Sequence, residues 1–303
     1  MLPFSRVTII GLGLIGSSIA RAVRAAMPTV RITGHDASAE VRETADALGL
    51  CDDVSDTPGA AVTDADLVIL CVPVGSIGEA AADIAADLPA DAVVSDVGSC
   101  KASVAAALAD ALPEAQAIVP AHPVAGTERS GPEAGFASLF HGRWCILTPT
   151  DGSPPAAVER VADFWRRLGA EVELMDPDHH DRVLAVTSHL PHLIAYTIVG
   201  TASDLEEVTR SEVIKYSAGG FRDFTRIAAS DPVMWRDVFL SNREAVLDML
   251  QRFSEDLSAL QRAIRWGDGD ALFDLFTRTR AVRRSIVEQG QDDAREDFGR
   301  SHS

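Results

Sequence analysis

The hydrophobic positions of this chain change rhythm near residue 176. From Arg6 to about Met175, short runs rich in β-branched residues alternate with alanine-rich stretches of helical spacing. "RVTII" predicts a strand and Ser17 to Ala26 a helix; "VRITGHD" predicts the next strand, and "SAEVRETADALG" a helix with Gly49 as its C-cap. "ADLVILCVPV" is a continuous apolar run, the pattern of a strand covered on both faces. "DAVVSDVGS", "AIVPAHPV", "WCILTP" and "EVELMD" continue the series. Such alternation predicts an α/β Rossmann-type, doubly wound parallel sheet over residues 1–175.

From residue 176 to about Glu288 strand signals almost vanish and long helical periodicity takes over, so residues 176–303 are expected to form an all-helical domain. "HDRVLAVTSHLPHLIAYTIVGTASDL" predicts one long helix, kinked at Pro191. The tail "QGQDDAREDFGRSHS" is polar and expected to fray.

Composition narrows the partners. With 27 basic against 45 acidic residues, the formal charge of −18 repels nucleic acid and anionic membranes, and neither is expected as a partner. An anionic small substrate would need its own arginines or helix N-termini. The four cysteines show no CxxC spacing and read as reduced thiols, which with the absence of a targeting pattern places the protein in the cytoplasm. "VTIIGLGLIGSSIARA" is apolar enough to imitate a signal peptide, but its glycines have another use. No other run approaches the ~18 uninterrupted apolar residues of a membrane span.

That use is the turn Gly11-Leu12-Gly13-Leu14-Ile15-Gly16, a GxGxxG that follows the first strand and opens a helix. Gly11 permits the tight turn, Gly13 lets a pyrophosphate approach the backbone, and Gly16 lets helix and sheet pack closely. Asp36, at the end of the second strand, would accept hydrogen bonds from both adenosine ribose hydroxyls and repel a 2′-phosphate, which favours NAD over NADP. Val72 and Pro73, at the carboxyl end of "ADLVILCVPV", are assigned to the same cofactor site.

Two polar residues fall at the carboxyl ends of later strands, where ligands collect in doubly wound folds. Ser99 ends "VVSDVGS", and His122 ends "AIVPAHPV", within the proline- and glycine-rich stretch "AHPVAGTERSG" that predicts a loop. An imidazole beside the nicotinamide end can accept a proton near neutral pH, and Ser99 can hold the imidazole or a substrate hydroxyl. The helical half adds "SHLPH", with Ser188, His189 and His192 near one helix face, and "GGFRDFTRIAASDPVMWRD", which concentrates Arg222, Arg226 and Arg236 in an acidic chain. His-x-x-His lacks a third ligand, so no metal is expected. Arg226 could grip a carboxylate with two parallel bonds; the alternative is surface arginines paired with Asp223 and Asp237.

Taken in order, "GLGLIG", "SDVGSCK", "HPVAGTERSG", "SHLPH" and "GGFRDFTRIAASDPVMWRD" resemble the prephenate/arogenate (cyclohexadienyl) dehydrogenase family of tyrosine biosynthesis over most of the chain. The resemblance implies NAD-dependent oxidative decarboxylation, with His122 as catalytic histidine and Ser99 as its partner. Thr127, Glu128, Ser188, His192, Arg222 and Arg226 would line the substrate pocket, Arg226 holding a substrate carboxylate. At the position of Arg222 the family often carries lysine. Trp235 would reach the site of the other subunit, because these enzymes dimerise through their helical domains. The chain is expected to lack an appended regulatory domain and a chorismate mutase segment. A β-hydroxyacid dehydrogenase using Lys215 shares the same plan without its surrounding pattern, and an NAD-sensing protein without turnover is the alternative outside enzymes. Prephenate against arogenate, and inhibition by tyrosine, stay open at this level.

Overall fold

A computed structural model describes residues 2–113, 115, 117–127, 129–204, 212, 215–216 and 219–288. Two compact units divide it, Met1–Leu247 and Asp248–Ser303.

In the first unit, six strands form a parallel sheet: β1 (Arg6–Ile10), β2 (Arg31–His35), β3 (Asp53–Val54), β4 (Leu67–Leu70), β5 (Val93–Asp96) and β6 (Ala117–Ile118). Their spatial order is β3-β2-β1-β4-β5-β6. The chain builds outward from β1, then crosses back to place β4 on its other side, which opens a crevice at the carboxyl ends of β1 and β4. Period-two alternation divides the core between the two faces. Val7, Ile9, Leu67 and Ile69 face one cluster with Ile19, Val23, Phe164 and Trp165. Ile10, Val68 and Leu70 face the other with Val62, Ile77, Ile84 and Leu108. The helices supplying those partners are α1 (Leu14–Ala26), α3 (Pro58–Val62), α4 (Ile77–Ile84), α5 (Ala102–Ala111) and α6 (Pro155–Arg167); α2 (Ala39–Ala47) flanks β3.

Three later strands leave this sheet. β7 (Ala121–Pro123), β8 (Trp144–Leu147) and β9 (Glu171–Leu174) make a separate sheet, β7 antiparallel and β9 parallel to β8. The expected single strand "AIVPAHPV" is therefore two strands. Val119 N still pairs with Val94 O at 2.9 Å, but Pro120 has no N–H to continue the ladder, and its carbonyl instead accepts from Thr148 N at 2.9 Å. His122, expected on a loop, is the middle residue of β7, in register with Ile146.

The segment after β9 is helical: α7 (Pro177–Leu184), a π turn (Ala185–His189) and α8 (Leu190–Ser203). Asp176 caps α7 by accepting from His179 N at 2.9 Å. The irregularity expected at Pro191 lies just before it: Pro191 has no N–H for the carbonyl of Thr187, and the chain widens to a π turn in which Leu190 N reaches Ala185 O. By length and composition alone the span Pro177–Ser203 could cross a membrane, although polar residues interrupt its apolar positions. It carries His180, Asp181 and His189 buried in polar contacts of the same unit, which gives it a different use. α9 (Gly219–Thr225) and α10 (Pro232–Ser241) follow, the latter capped by Asp231, which accepts from Val233 N and Met234 N. α10 lies against the short turn Val74–Ser76 after β4, where a Cβ on Gly75 would come within 2.8 Å of Asp237 Oδ2.

The second unit contains most of α11 (Arg243–Trp266) and all of α12 (Gly269–Glu288), separated by Gly267 at φ +70°. It exposes large apolar side chains, among them Ile264, Trp266, Phe273, Phe276 and Val282.

Candidate active site

The glycine turn is built as its spacing predicts. Gly11 has φ +98°, and a Cβ there would sit 2.5 Å from Cys71 O at the end of β4. A Cβ on Gly16 would lie 2.0 Å from Gly11 O, whereas one on Gly13 would meet nothing within 4 Å. α1 begins at Leu14, three residues earlier than expected, so its first N–H groups belong to the turn itself. Its N-cap Gly13 provides no side-chain cap and its first turn holds no acidic residue, which leaves those donors for an anion. Open space over Gly13 and uncapped amides together fit a pyrophosphate. Asp36 Oδ2 accepts from Leu12 N at 2.8 Å and Oδ1 from Ser38 N at 2.9 Å, which fixes the carboxylate beside the turn with lone pairs still open to ribose hydroxyls. Val72 stands at the same end, its side chain 3.2 Å from the Cβ position of Gly11, and Pro73 follows at the surface.

Around His122 the structure assembles groups from distant parts of the chain. His122 is buried, and its Nδ1 lies 2.9 Å from Nε2 of His180 on α7. His180 Nδ1 lies 2.8 Å from Asp181 Oδ1. The Asp181 carboxylate also accepts from Lys101 N at 2.7 Å and Ala102 N at 3.0 Å, at the start of α5. Burial would raise its pKa, but His180 and these two amides outweigh that and hold it below the usual carboxylate value. Lys101, fully buried, donates from Nζ to Asp96 and, at 2.7 Å, to Ala121 O. Asp96 accepts in turn from Ala121 N at 3.1 Å, which ties β7 to the end of β5. His122 is pushed well below its ordinary pKa, first by burial, then by the neighbouring His180 and by the Lys101 ammonium. It therefore remains a neutral imidazole at neutral pH.

The partner of His122 Nδ1 is thus His180, and Ser99, half-buried on the bend after β5, is left for the ring's other edge or a substrate hydroxyl. Ser188 sits in the π turn, where its carbonyl accepts from His192 Nδ1 at 2.8 Å. The His192 ring stacks on Trp235 with centroids 3.6 Å apart. Trp235 packs within its own chain against Cys100 and Val238, because α10 lies against the turn after β4. The Arg226 guanidinium lies close enough to His192 to help burial lower its pKa, against the Ser188 hydrogen bond that raises it. Arg222 and Arg236 are exposed, their guanidinium groups 3.5 Å from Asp223 and 2.7 Å from Asp237. Thr127 is exposed, its Oγ1 accepting from Arg129 N at 3.2 Å, and Glu128 lies outside the described residues.

Sequence reasoning missed His180, Asp181, Lys101, Asn242 and the role of His189. Asn242 Nδ2 contacts Asp181 O at 2.8 Å and His189 Nδ1 at 3.1 Å, joining the two histidine groups. The available signal was "DHHDR", just after Asp176 where the chain turns helical, and the lysine of "SDVGSCK".

A parallel sheet with a glycine turn fitted to pyrophosphate, and a neutral buried imidazole on a neighbouring strand, define a nicotinamide-dinucleotide dehydrogenase with a helical second domain. Comparisons narrow the class. Residues 19–174 match the nucleotide-binding domain of prephenate dehydrogenase, and residues 176–278 its dimerization domain. The cyclohexadienyl dehydrogenase of Zymomonas mobilis is 48% identical over 94% of this chain and 97% of its own. The prephenate dehydrogenase of Bacillus subtilis is 34% identical over 91% of this chain and 74% of its own. The crystal structure of Aquifex aeolicus prephenate dehydrogenase with hydroxyphenyl propionate and NAD+ superposes with a TM-score of 0.87 at 36% identity, covering 93% of this chain and 98% of that one. The chain belongs to the prephenate dehydrogenase family, and its cofactor is NAD.

Proposed function

We propose that this enzyme oxidatively decarboxylates prephenate to 4-hydroxyphenylpyruvate with NAD+, and that the same pocket takes arogenate, its amino counterpart, to tyrosine. The likeness to a cyclohexadienyl dehydrogenase supports the wider substrate range. The observation that carries the reading is His122: buried, held neutral, and tied by β7 to the carboxyl end of β5, beyond which the cofactor crevice lies.

NAD+ supplies the hydride acceptor when bound on the glycine turn. His122 accepts the proton of the substrate's ring hydroxyl as the carbon that bears it is oxidised, drawing off the charge that would otherwise develop there. The ring carboxylate departs as carbon dioxide, its bonding pair enters the ring, and aromatisation makes the step effectively irreversible. Ser99 holds the hydroxyl in line. Arg226, close to His192, binds a substrate carboxylate with Ser188 and His192, and Trp235 stacks on His192. Thr127, Glu128 and Arg222 complete the pocket. Gly11 to Gly16, Asp36, Val72 and Pro73 hold the dinucleotide.

We place the domain border at residues 175/176, where the two family models meet. The protein acts as a homodimer through its helical domain, in the cytoplasm, with neither nucleic acid nor membrane as a partner. The match to a dimerization domain and the charge of −18 support this. Absorbance at 340 nm, followed with prephenate and with arogenate, tests the function. NADH formation with either, lost in His122→Asn, is the expected result; NAD+ binding without turnover of any cyclohexadienyl substrate would overturn it.

A further inference from the structure

The chain His122–His180–Asp181 has a direction. Asp181 receives two backbone N–H groups at the start of α5, Lys101 N at 2.7 Å and Ala102 N at 3.0 Å, so both its oxygens are committed as acceptors. His180 Nδ1, 2.8 Å from the same Oδ1, must then be the donor. With a single ring proton placed there, His180 Nε2 is an acceptor. The contact of 2.9 Å to His122 Nδ1 requires a proton on Nδ1 of His122. The remaining nitrogen, His122 Nε2, carries the lone pair.

We infer that His180 and Asp181 are positioning residues that fix the tautomer of His122, so that its basic Nε2 and not an N–H meets the substrate hydroxyl. The inference rests on the proposed role of His122 and names two residues that role did not require. The proton taken from the hydroxyl ends on His122 Nε2 and leaves to water after turnover; nothing needs to pass along the chain. As His122 becomes cationic, its Nδ1–H bond to His180, backed by the Asp181 carboxylate, steadies the new charge. The arrangement is rigid because Asp181 is held by the first turn of α5 and, through its carbonyl, by Asn242 at 2.8 Å. The base of the reaction is thereby oriented from the helical half but anchored to the dinucleotide-binding half.

Three substitutions separate this from a packing role. His180→Phe keeps Asp181 on its two amides but removes both ring contacts; kcat should fall about tenfold to a thousandfold, with KM for prephenate within about threefold, since the loss is in the transition state. His180→Gln can accept from His122 at its amide oxygen and donate to Asp181 at its amide nitrogen, so it should recover much of kcat. Asp181→Asn must put an NH2 against an N–H donor. Where that NH2 faces His180, it reverses the chain and places the proton on His122 Nε2, with a kcat loss at least that of His180→Phe.

Nitrogen-15 NMR of histidine-labelled enzyme reads the tautomer without reference to activity. The wild type should show His122 protonated at Nδ1 and bare at Nε2, with this pattern kept in His180→Gln and lost in Asp181→Asn where its NH2 faces His180. A wild-type proton on Nε2, or His180→Phe with unchanged kcat, would overturn the inference; the wild-type spectrum decides even where a variant fails to fold. Normal turnover in His122→Asn would instead strike the proposed function, leaving the tautomer assignment standing.

Discussion

The ring of His192 lies nearly parallel to the indole of Trp235, with centroids 3.6 Å apart and planes 23° from coplanar. Trp235 in turn contacts Cys100 and Val238 in a small buried cluster that joins α10 to the loop after β5. One side chain therefore both sets the position of a pocket histidine and bridges the helical segment to the cofactor domain. Trp235→Ala should destabilise the fold by about 3–5 kcal/mol, as removal of buried aromatics does, and raise KM for prephenate. Trp235→Phe, which keeps a stacking face, should lose markedly less of both. Thermal melts beside steady-state kinetics check this; an alanine variant with unchanged melting and KM would remove Trp235 from both roles.

His122→Asn should lower kcat by about two to four orders of magnitude, the range for lost general-base help. NAD+ affinity, set at the glycine turn, should barely change in calorimetry.

Gly13 and Gly16 should fail differently. A Cβ on Gly16 would stand 2.0 Å from Gly11 O, so Gly16→Ala should distort the turn and destabilise the protein. A Cβ on Gly13 meets no protein atom within 4 Å, so Gly13→Ala should melt near the wild type yet bind NAD+ poorly, its methyl standing where the pyrophosphate approaches. Melting curves with and without NAD+ separate the two, and equal NAD+ protection of Gly13→Ala and wild type would contradict the assignment.

Arg226→Ala should chiefly raise KM for prephenate, with kcat less affected, because a carboxylate clamp acts in ground and transition states alike. Loss of NAD+ affinity with KM for prephenate intact would move Arg226 to the cofactor site.

Acid should weaken the fold through its buried histidines. Burial lowers His189 to about 4 and His122 well below its ordinary value. Above about pH 6.5 both folded and unfolded forms hold these rings neutral, so they add no pH dependence. As pH falls below that, the unfolded chain gains protons that the folded one refuses, and stability falls until the folded rings also titrate, near pH 4 for His189. Urea unfolding between pH 7 and 5 should show this loss, with a shallower slope in His189→Asn. A flat profile over that interval would mean the rings are not buried neutral.

Much of this protein was legible in its sequence, and the reasons are local. The glycine turn, the strand before it and the helix after it lie within twenty residues, and their geometry follows from Cβ sterics and unpaired amides. Asp36 could be placed because a strand of known length carries the chain back to the same edge. The motif order likewise led to His122, Ser99 and Arg226 as candidates. Local pattern also misled where one proline decided the outcome. Pro120 broke a strand that hydrophobicity alone would continue, moving His122 from a loop into β7, and Pro191 displaced the expected kink into the π turn before it.

Composition, the alternating core and the dinucleotide turn were thus determined by the sequence itself, since each depends on neighbours in the chain. Which nitrogen of His122 has a partner was decided only by folding. That contact spans 58 residues, and the grip of α5 on Asp181 spans 80. No periodicity encodes them, because a buried histidine, aspartate or lysine finds its hydrogen bonds wherever packing of distant elements excludes water and leaves a polar atom to be satisfied.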